Sequence, residues 1–461
     1  MTPLVSQSLL DALANDEQKR RRRIHDAWEA YHGDHDPSLA VRDGETDDNV
    51  TVNLSRLVVD AGVDALYGQA PQWTTGDDAH DAAVDAWHSR RRTQTGATSP
   101  FLLTLQKLAL NGAVTGHPFV KWSVRKDDPT PRLRVLDPAN VTAYWEEDDH
   151  EAVYAYKIEW ATVNQHGKPA VRRQMIERDG DAWTIRDEER VGGYGKWTVL
   201  RTEQWPYPWA PIAGTQNLPC PNEHYGLADL EDDHLALQAA VNYSASNINR
   251  IIRLYAHPRD VGYGFTAGEL QMAPGQMLTL PSPSARIDTL PMASDLSSSL
   301  EFFARLREAM HATTQTPEVA IGKMQDVGAM SGVALAILWG PLVRKTEKKR
   351  LTYGPLVEDA IRQYLVLVGA ASDVDAVEVE TTWPEIVPVN VKEERETAAI
   401  DHALGVSRAT ILANLGYDPE EEAAQRAGED AASDARRDRM FNAGQTVDPA
   451  TSTDATTDAQ G

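Results

Sequence analysis

Glu231-Asp232-Asp233-His234 is a dense run of carboxylate and imidazole groups, and it is the first candidate for metal-assisted hydrolysis. The residues around it read as helix. On a helix only residues three or four apart share a face, so four neighbours fan out around the axis and do not converge on one ion. An acidic outer face with His234 packed inward is the simpler reading. Cys220 and His224 lack further ligands at zinc spacing. There is no G-x-x-x-x-G-K-[ST] run to cradle a triphosphate and no G-x-S-x-G elbow to raise a serine nucleophile. Gly192-Gly193-Tyr194-Gly195 has no helix after it and reads as a turn, not a dinucleotide loop. The expectation is a non-enzymatic protein with no cofactor and no metal. A metal-dependent nuclease or hydrolase using scattered carboxylates such as Asp232 and Asp233 is the competing reading.

The cations are sparse and grouped. Lys19 to Arg23 and Arg90 to Arg92 are short basic runs without interleaved aromatics, so solvated or intersubunit roles are expected for them. Lys345, Lys348, Lys349 and Arg350 form a third basic set, placed to face DNA, a neighbouring acidic subunit or solvent. Against 45 Lys and Arg stand 69 Asp and Glu, a net charge of −24. A broadly acidic surface does not hold DNA by neutralising phosphate. It would instead let a polyanion slide past without sticking. The single cysteine, Cys220, forbids an intrachain disulfide and points to a reducing compartment. No apolar run reaches the length of a membrane span, and the N-terminus lacks the layout of a signal peptide.

At 461 residues the chain calls for two to four domains or sub-domains. Helical spacing of Leu9, Leu10, Leu13, Ile24, Trp28 and Tyr31 predicts a helix over 4–32. A second is predicted over 53–68, capped by Asn53 and stopped at Gly68, with others near 77–90 and 98–114. From 118 to 200 the pattern alternates, predicting short antiparallel strands. In 152–160, Tyr154, Tyr156, Ile158 and Trp160 share one face of a half-buried strand. Residues 202–224 read as extended. A long helix over 226–257, roughly 48 Å in length, carries one apolar stripe from Leu230 to Tyr255. A small β module over 259–291 follows, then a helix capped by Ser294 or Asp295. The polar loop 317–330 holds Lys323, Met324, Gln325, Asp326 and Met330, with Gly322 and Gly328 as hinges. Next comes a helix over 331–369, expected to kink at Gly340-Pro341 and Gly354-Pro355. A strand at 377–383 and helices at 391–404 and 407–414 complete the ordered pattern. From Asp418 to Gly461 there are 11 acidic and 4 basic side chains, a net of −7, and the tail from about 443 reads as disordered.

Several stretches resemble the portal proteins of tailed bacteriophages, the rings through which viral DNA enters and leaves the capsid. They are Trp28-x-x-Tyr31-x-Gly33, Asn53 to Asp60 with Leu66 to Pro71, Asn111-Gly112 to Phe119-Val120, His224 to Leu230, the polar positions Asn242 to Asn247, and Ser331-Gly332-Val333-Ala334-Leu335. Ala228 departs from the pattern, since Ser or a similar residue is common there. The co-linear order, over about 20–440, carries more weight than any one motif.

The resemblance implies an α+β portal fold. Its parts would be a wing (1–224 with a strand in 370–390), stem helices (225–257 and 295–315), a clip (258–294), a channel loop (316–330), a kinked channel helix (331–369), a helical crown (391–442) and a disordered acidic tail (443–461). It implies a homo-oligomeric ring, a dodecamer in assembled particles, at one capsid vertex, assembled in the host cytoplasm and carried in the virion. Gly322, Lys323, Met324, Gln325, Asp326 and Gly328 would fringe the double-stranded DNA, and Ser331, Gly332, Pro341 and Lys345 would belong to the channel helix. Arg259, Tyr263, Phe265 and Arg286 of the clip would meet the terminase and head–tail connector proteins. The major capsid protein is a further partner, and no membrane is involved. A different capsid or tail adaptor is the remaining alternative.

Overall fold

The computed structural model describes residues 5–89, 101–124, 130–192, 195–256, 260–263, 284, 286–289, 296–321, 332–387, 391–415 and 417–443. The fold is α+β, and it divides into two units, Met1–Val387 and Pro388–Gly461.

Helix α1 (Gln7–His32) is capped by Ser6, whose hydroxyl accepts from the Leu9 amide. Helix α2 (Leu54–Tyr67) starts where the sequence places it, with the Asn53 side chain accepting from the Arg56 amide. The buried face of α2, Val58, Val59, Val63, Leu66 and Tyr67, joins the main core. Strand β1 (Gln72–Thr74), α3 (Asp78–Ser89) and α4 (Phe101–Thr115) follow.

Two antiparallel sheets come next. One orders β3 (Arg132–Leu136), β2 (Phe119–Ser123) and β9 (Ile212–Gly214) side by side. The other is a five-stranded meander of β4 (Val141–Glu146), β5 (Asp149–Val163), β6 (Pro169–Asp179), β7 (Ala182–Val191) and β8 (Thr198–Trp205). Its long central strands depart from the short strands expected, and both of its faces are covered mid-strand. Tyr156 and Ile158 point into the main core, while Ala155 and Met175 pack on Val5 and Leu10 beside α1. The expected shared face of Tyr154 to Trp160 is broken by a shift in register: Tyr144 pairs with Ala155 but Trp145 pairs with Val153. The bulge turns Tyr154 onto the α1 side, where it packs with Leu9 and Leu13.

Helix α5 spans Asp232–Ala256, about 37 Å, and starts later than the apolar pattern predicts. The preceding residues are held extended. Leu227 bridges Leu218, and the Asp229 amide donates to the Ala113 carbonyl. Leu230 is therefore a buried loop residue rather than part of the helical stripe. The polar positions on α5 have a structural task. Gln238 accepts from the Leu54 and Ser55 amides and donates to the Val52 carbonyl. One turn on, Asn242 accepts from the Val52 amide, and one turn further Ser246 accepts from the Val50 amide. Arg250 and Arg253 then clasp the carboxylate of Asp48. Gln238, Asn242 and Ser246, one turn apart on a helix, thus satisfy the backbone of an extended segment that has no sheet partner among the described residues.

Strand β10 (Asp260–Tyr263) pairs antiparallel with β11 (Arg286–Thr289), and α6 (Ser297–Thr313) packs along α5. The expected caps Ser294 and Asp295 lie outside the described residues. Leu296 occupies the cap position without a side-chain cap bond. A short 3-10 turn, Glu318–Ile321, precedes α7 (Gly332–Leu367), a 36-residue helix that continues through both Pro341 and Pro355. Strand β12 (Glu380–Thr382) pairs with β1, joining residues about three hundred positions apart in sequence.

The second unit contains α8 (Val391–Ala403), α9 (Arg408–Asn414) and α10 (Pro419–Ala443). Ser407 caps α9 as expected, accepting from the Thr410 amide. The 25-residue α10 is an addition to the two terminal helices expected, built from a run rich in Ala and Glu, both strong helix formers. The tail from 444 lies outside the described residues.

Replacing Gln238 with Ala removes three hydrogen bonds to backbone groups at once and leaves the Ser55 amide without its acceptor. Urea unfolding is expected to show a loss on the order of 3 kcal/mol, against little change for the exposed Tyr243→Ala on the same helix.

Candidate functional site

Helix α7 carries Lys345 and Lys349 one turn apart, so both ammoniums emerge from one face. They converge on a single carboxylate. Lys349 Nζ lies 2.7 Å from Asp229 Oδ2, and Lys345 Nζ lies 3.3 Å from Asp229 Oδ1. Lys345 also donates to the Thr314 carbonyl at 3.0 Å, just past the end of α6. Asn217 donates to Asp229 Oδ1 at 3.1 Å and accepts from the Tyr353 hydroxyl at 3.1 Å. All five side chains are buried or carry buried polar atoms. This knot ties the lead-in to α5, the end of α6 and the middle of α7 to one another.

Two glycines make room for it. A Cβ on Gly62 of α2 would stand 2.6 Å from Asp229 Oδ2, and one on Gly112 of α4 would stand 1.9 Å from the Tyr353 hydroxyl. Neither position accepts a side chain without displacing the network.

The electrostatics are lopsided, with two lysines sharing one aspartate. Burial pushes the Asp229 carboxyl up, but Lys345 and Lys349 outweigh it and hold it below the usual carboxylate range. Burial pushes the Lys349 ammonium down to about 8, with Asp229 opposing and Lys345 adding to the fall.

The basic set read from the sequence is therefore not a surface patch. Lys345 and Lys349 face inward. Arg350 lies over the Trp383 ring at 5.1 Å, donates to the Pro384 carbonyl and pairs with Glu347. Of the four, Lys348 alone is exposed. In the run at 19–23, Lys19, Arg22 and Arg23 are exposed, as the solvated reading expects, while Arg20 and Arg21 are half-buried. Arg20 donates to the Val141 carbonyl and covers the Tyr225 ring, Arg21 reaches Glu159, and Arg23 pairs with Glu231 and Asp232. These contacts fasten α1 to the meander and to the start of α5. Arg90 to Arg92 lie outside the described residues.

The acidic run at 231–234 acts as a helix lead-in. Glu231 accepts from the Ala228 amide, and His234 Nδ1 accepts from the Glu231 amide. Among the described residues no group of three or more His, Cys, Asp or Glu could hold a metal ion. Likewise none of the helices there is long and apolar enough to cross a membrane.

Of the other sequence-derived positions, Gly332 begins α7 and Pro341 lies within it. Tyr263 and Arg286 are cross-strand partners, with the guanidinium 4.6 Å above the ring and Asp288 at 3.1 Å from it. Gly322, Lys323, Met324, Gln325, Asp326, Gly328, Ser331, Arg259 and Phe265 lie outside the described residues. The chain leading up to residue 322 is anchored. Arg307 pairs with Glu318 at 3.0 Å, His311 Nδ1 contacts the Thr316 carbonyl at 3.0 Å, and Lys345 holds Thr314. Sequence reasoning missed Asp229, Asn217 and Tyr353 as partners of the lysines. The signal was the i, i+4 spacing of Lys345 and Lys349 with Leu342 and Tyr353 on neighbouring turns.

No protein-family model matches the chain, and no curated protein does. Solved structures offer distant likenesses. A chain from the neck of the native GTA particle, computed with C12 symmetry, is 16% identical over 79% of this chain and 90% of its own, at a TM-score of 0.47. A chain from the neck of the empty GTA particle, computed with C6 symmetry, has the same identity and coverage at 0.48. One from the virion of the native gene transfer agent particle is 14% identical over 86% of this chain and 99% of its own, at 0.46.

Removing the shared anion should cost more than removing one of its two cations. Asp229→Asn leaves two buried ammoniums uncompensated, and denaturant unfolding is expected to report a loss of about 3–5 kcal/mol. Lys349→Met leaves a balanced pair and is expected to cost clearly less.

The pH dependence separates the same variants. Between pH 8 and the ordinary lysine value of 10.5, the unfolded chain holds the Lys349 proton and the folded chain does not. Raising pH through that window therefore favours the folded state. Wild type should gain stability relative to Lys349→Met between pH 8 and 10.5, with no relative slope from pH 6 to 7.

Proposed function

We propose that this chain is the repeating subunit of a ring-shaped portal at a capsid vertex, a passage for double-stranded DNA with no catalytic step of its own. One observation carries the reading: an antiparallel helix pair with a strand pair at one end and a charged lock at the other. The β10–β11 pairing holds the end of α5 beside the start of α6. The Lys345 contacts with Asp229 and Thr314 hold the start of α5 beside the end of α6. Residues 322–331 lie between the 3-10 turn that follows α6 and the first turns of α7, which run thirteen residues before reaching Lys345. In the portal reading α5 and α6 are the stem, the strand pair belongs to the clip and 322–331 is the channel loop. The sheets with β12 form the wing, and α8 to α10 form the crown.

The surface chemistry supports the same reading. The helix pair exposes Tyr243, Ile252 and Leu254 on α5 and Leu300 and Phe302 on α6. A lone subunit has no reason to wet these side chains, whereas neighbouring copies in a closed ring would cover them. Lys345 and Lys349, which could have gripped phosphate, are spent inside the subunit, and the chain as a whole carries a net charge of −24. A duplex moving through such a ring would meet repulsion rather than adhesion, so a separate motor could drive it without pulling it off sites. Terminase and head–tail connector proteins would dock at the clip, where Tyr263 and Arg286 are exposed, and the major capsid protein would surround the ring. Twelve copies is the expected number.

Negative-stain microscopy with multi-angle light scattering tests the proposal. Closed rings with a central opening wide enough for duplex DNA are expected. The pair Leu300→Glu and Phe302→Glu should shift the protein to monomers without changing its helix content. Monomers alone for the wild type, across protein concentration and salt, would overturn it.

A further inference from the structure

A cavity of about 720 Å³ opens between the β4–β5 turn and the segment 210–224. That volume suits a small organic molecule and is far larger than one ion needs. Its chemistry is one-sided. Asp148, Asp149, Glu151 and Glu223 line it, all exposed, and no lysine or arginine does among the described residues. An anionic ligand would meet only repulsion there.

The deeper part holds imidazoles whose acceptor atoms lack partners. His117 is 3% exposed, and neither of its ring nitrogens has a hydrogen-bond partner. His224 Nδ1 lies 2.8 Å from the His150 carbonyl oxygen. A carbonyl only accepts, so Nδ1 carries the proton and Nε2 presents a lone pair; Nε2 is buried and unpartnered. His150 Nδ1 is buried and unpartnered too. The loop that brings His224 here is held by Gln216, which donates to the Cys220 and Glu223 carbonyls and accepts from the Cys220 amide. Stacking fixes the rings, with His224 4.6 Å from Trp145 and 4.9 Å from His117.

Burial holds the His117 imidazole well below the ordinary histidine value, aided by His224 and Arg20, and burial lowers His224 as well. Both rings are neutral at pH 7, so each keeps one nitrogen with a lone pair that can accept. Buried polar atoms are normally satisfied, so unpartnered nitrogens on rings that line a cavity mark the place of a missing hydrogen-bond partner. The walls contributed by Tyr156 and Trp183 add aromatic faces, which favour cations over neutral molecules.

We propose that this cavity binds a small organic cation with several N–H donors, of the guanidinium or alkylammonium class. His117 and His224 accept from it at the floor and the carboxylates neutralise it at the rim. Sequence reading saw only Cys220 and His224 here and dismissed them for lack of zinc ligands. His117 stands more than a hundred residues upstream and arrives through β2 and β9. The proposal does not depend on ring formation.

Calorimetric titration of the full chain with agmatine, 1,4-butanediol and Mg²⁺ tests it. Saturable binding is expected for agmatine, none for the diol, and no displacement by millimolar Mg²⁺. His117→Phe keeps the ring stack and removes the accepting nitrogen, and it should weaken agmatine binding by about tenfold or more. Should that variant fold poorly, Glu223→Gln and Asp149→Asn sit on the exposed rim and should each weaken binding several-fold with an unchanged melting temperature. Absence of saturable agmatine binding by the wild type, equal binding by the rim variants, equal binding of the diol, or displacement by Mg²⁺ would each overturn the proposal.

Discussion

One buried carboxylate, Asp229, balances two buried ammoniums, and the arrangement of the long helices depends on that balance. Taking charges out of water is costly, and a buried ion pair seldom stabilises more than an apolar core of the same shape would. What it supplies is geometry. An apolar contact tolerates sliding by a turn; a carboxylate fixed by Lys345, Lys349 and Asn217 does not. A helix as long as α7, with prolines at 341 and 355, packs along few neighbours near its start, where Ile337 is mostly exposed. A polar lock at Lys345 and Lys349 sets its register at the point where the buried half begins.

The same principle operates along α5. Gln238, Asn242 and Ser246 would be poor choices for a buried helix face if packing alone mattered. They are there because the extended segment from Asp48 to Asn53 and the first turn of α2 bring backbone amides and carbonyls into the interior, and each must find a partner. The ladder fixes α5 against α2 residue by residue. With the lock at Asp229 it ties the base of the helix pair to α2 and α7.

This use of charge bears on function through what it removes from the surface. Arg20, Arg21, Arg23, Lys345, Lys349 and Arg350 all satisfy partners within the subunit. The net charge of −24 is thereby displayed with few exposed cations near α7 to offset it. In the proposed portal, such a distribution would retain a polyanion less than a basic lining would. The cavity at His117 follows the opposite logic, with acceptors left unspent.

Local pattern alone determined much of this protein. Helical period, Asn53 and Ser407 as caps, and alternation through 118–200 placed α1 to α4, the antiparallel strands and α9 close to where they lie, because those signals act within a few residues. The net charge and the order of helix, strand module, helix, loop and helix were also in the chain itself. The tertiary structure decided where the charges went. Lys345 and Lys349 look like a basic patch until Asp229, more than a hundred residues away, is brought against them. Tyr154 looks in phase with Tyr156 until the pairing with β4 inserts a bulge. Helix α5 starts late because Leu218 and Ala113 hold its lead-in extended. In each case a contact distant in sequence overrode a local preference, since the cost of an unpaired buried group exceeds the small differences that propensity and periodicity express.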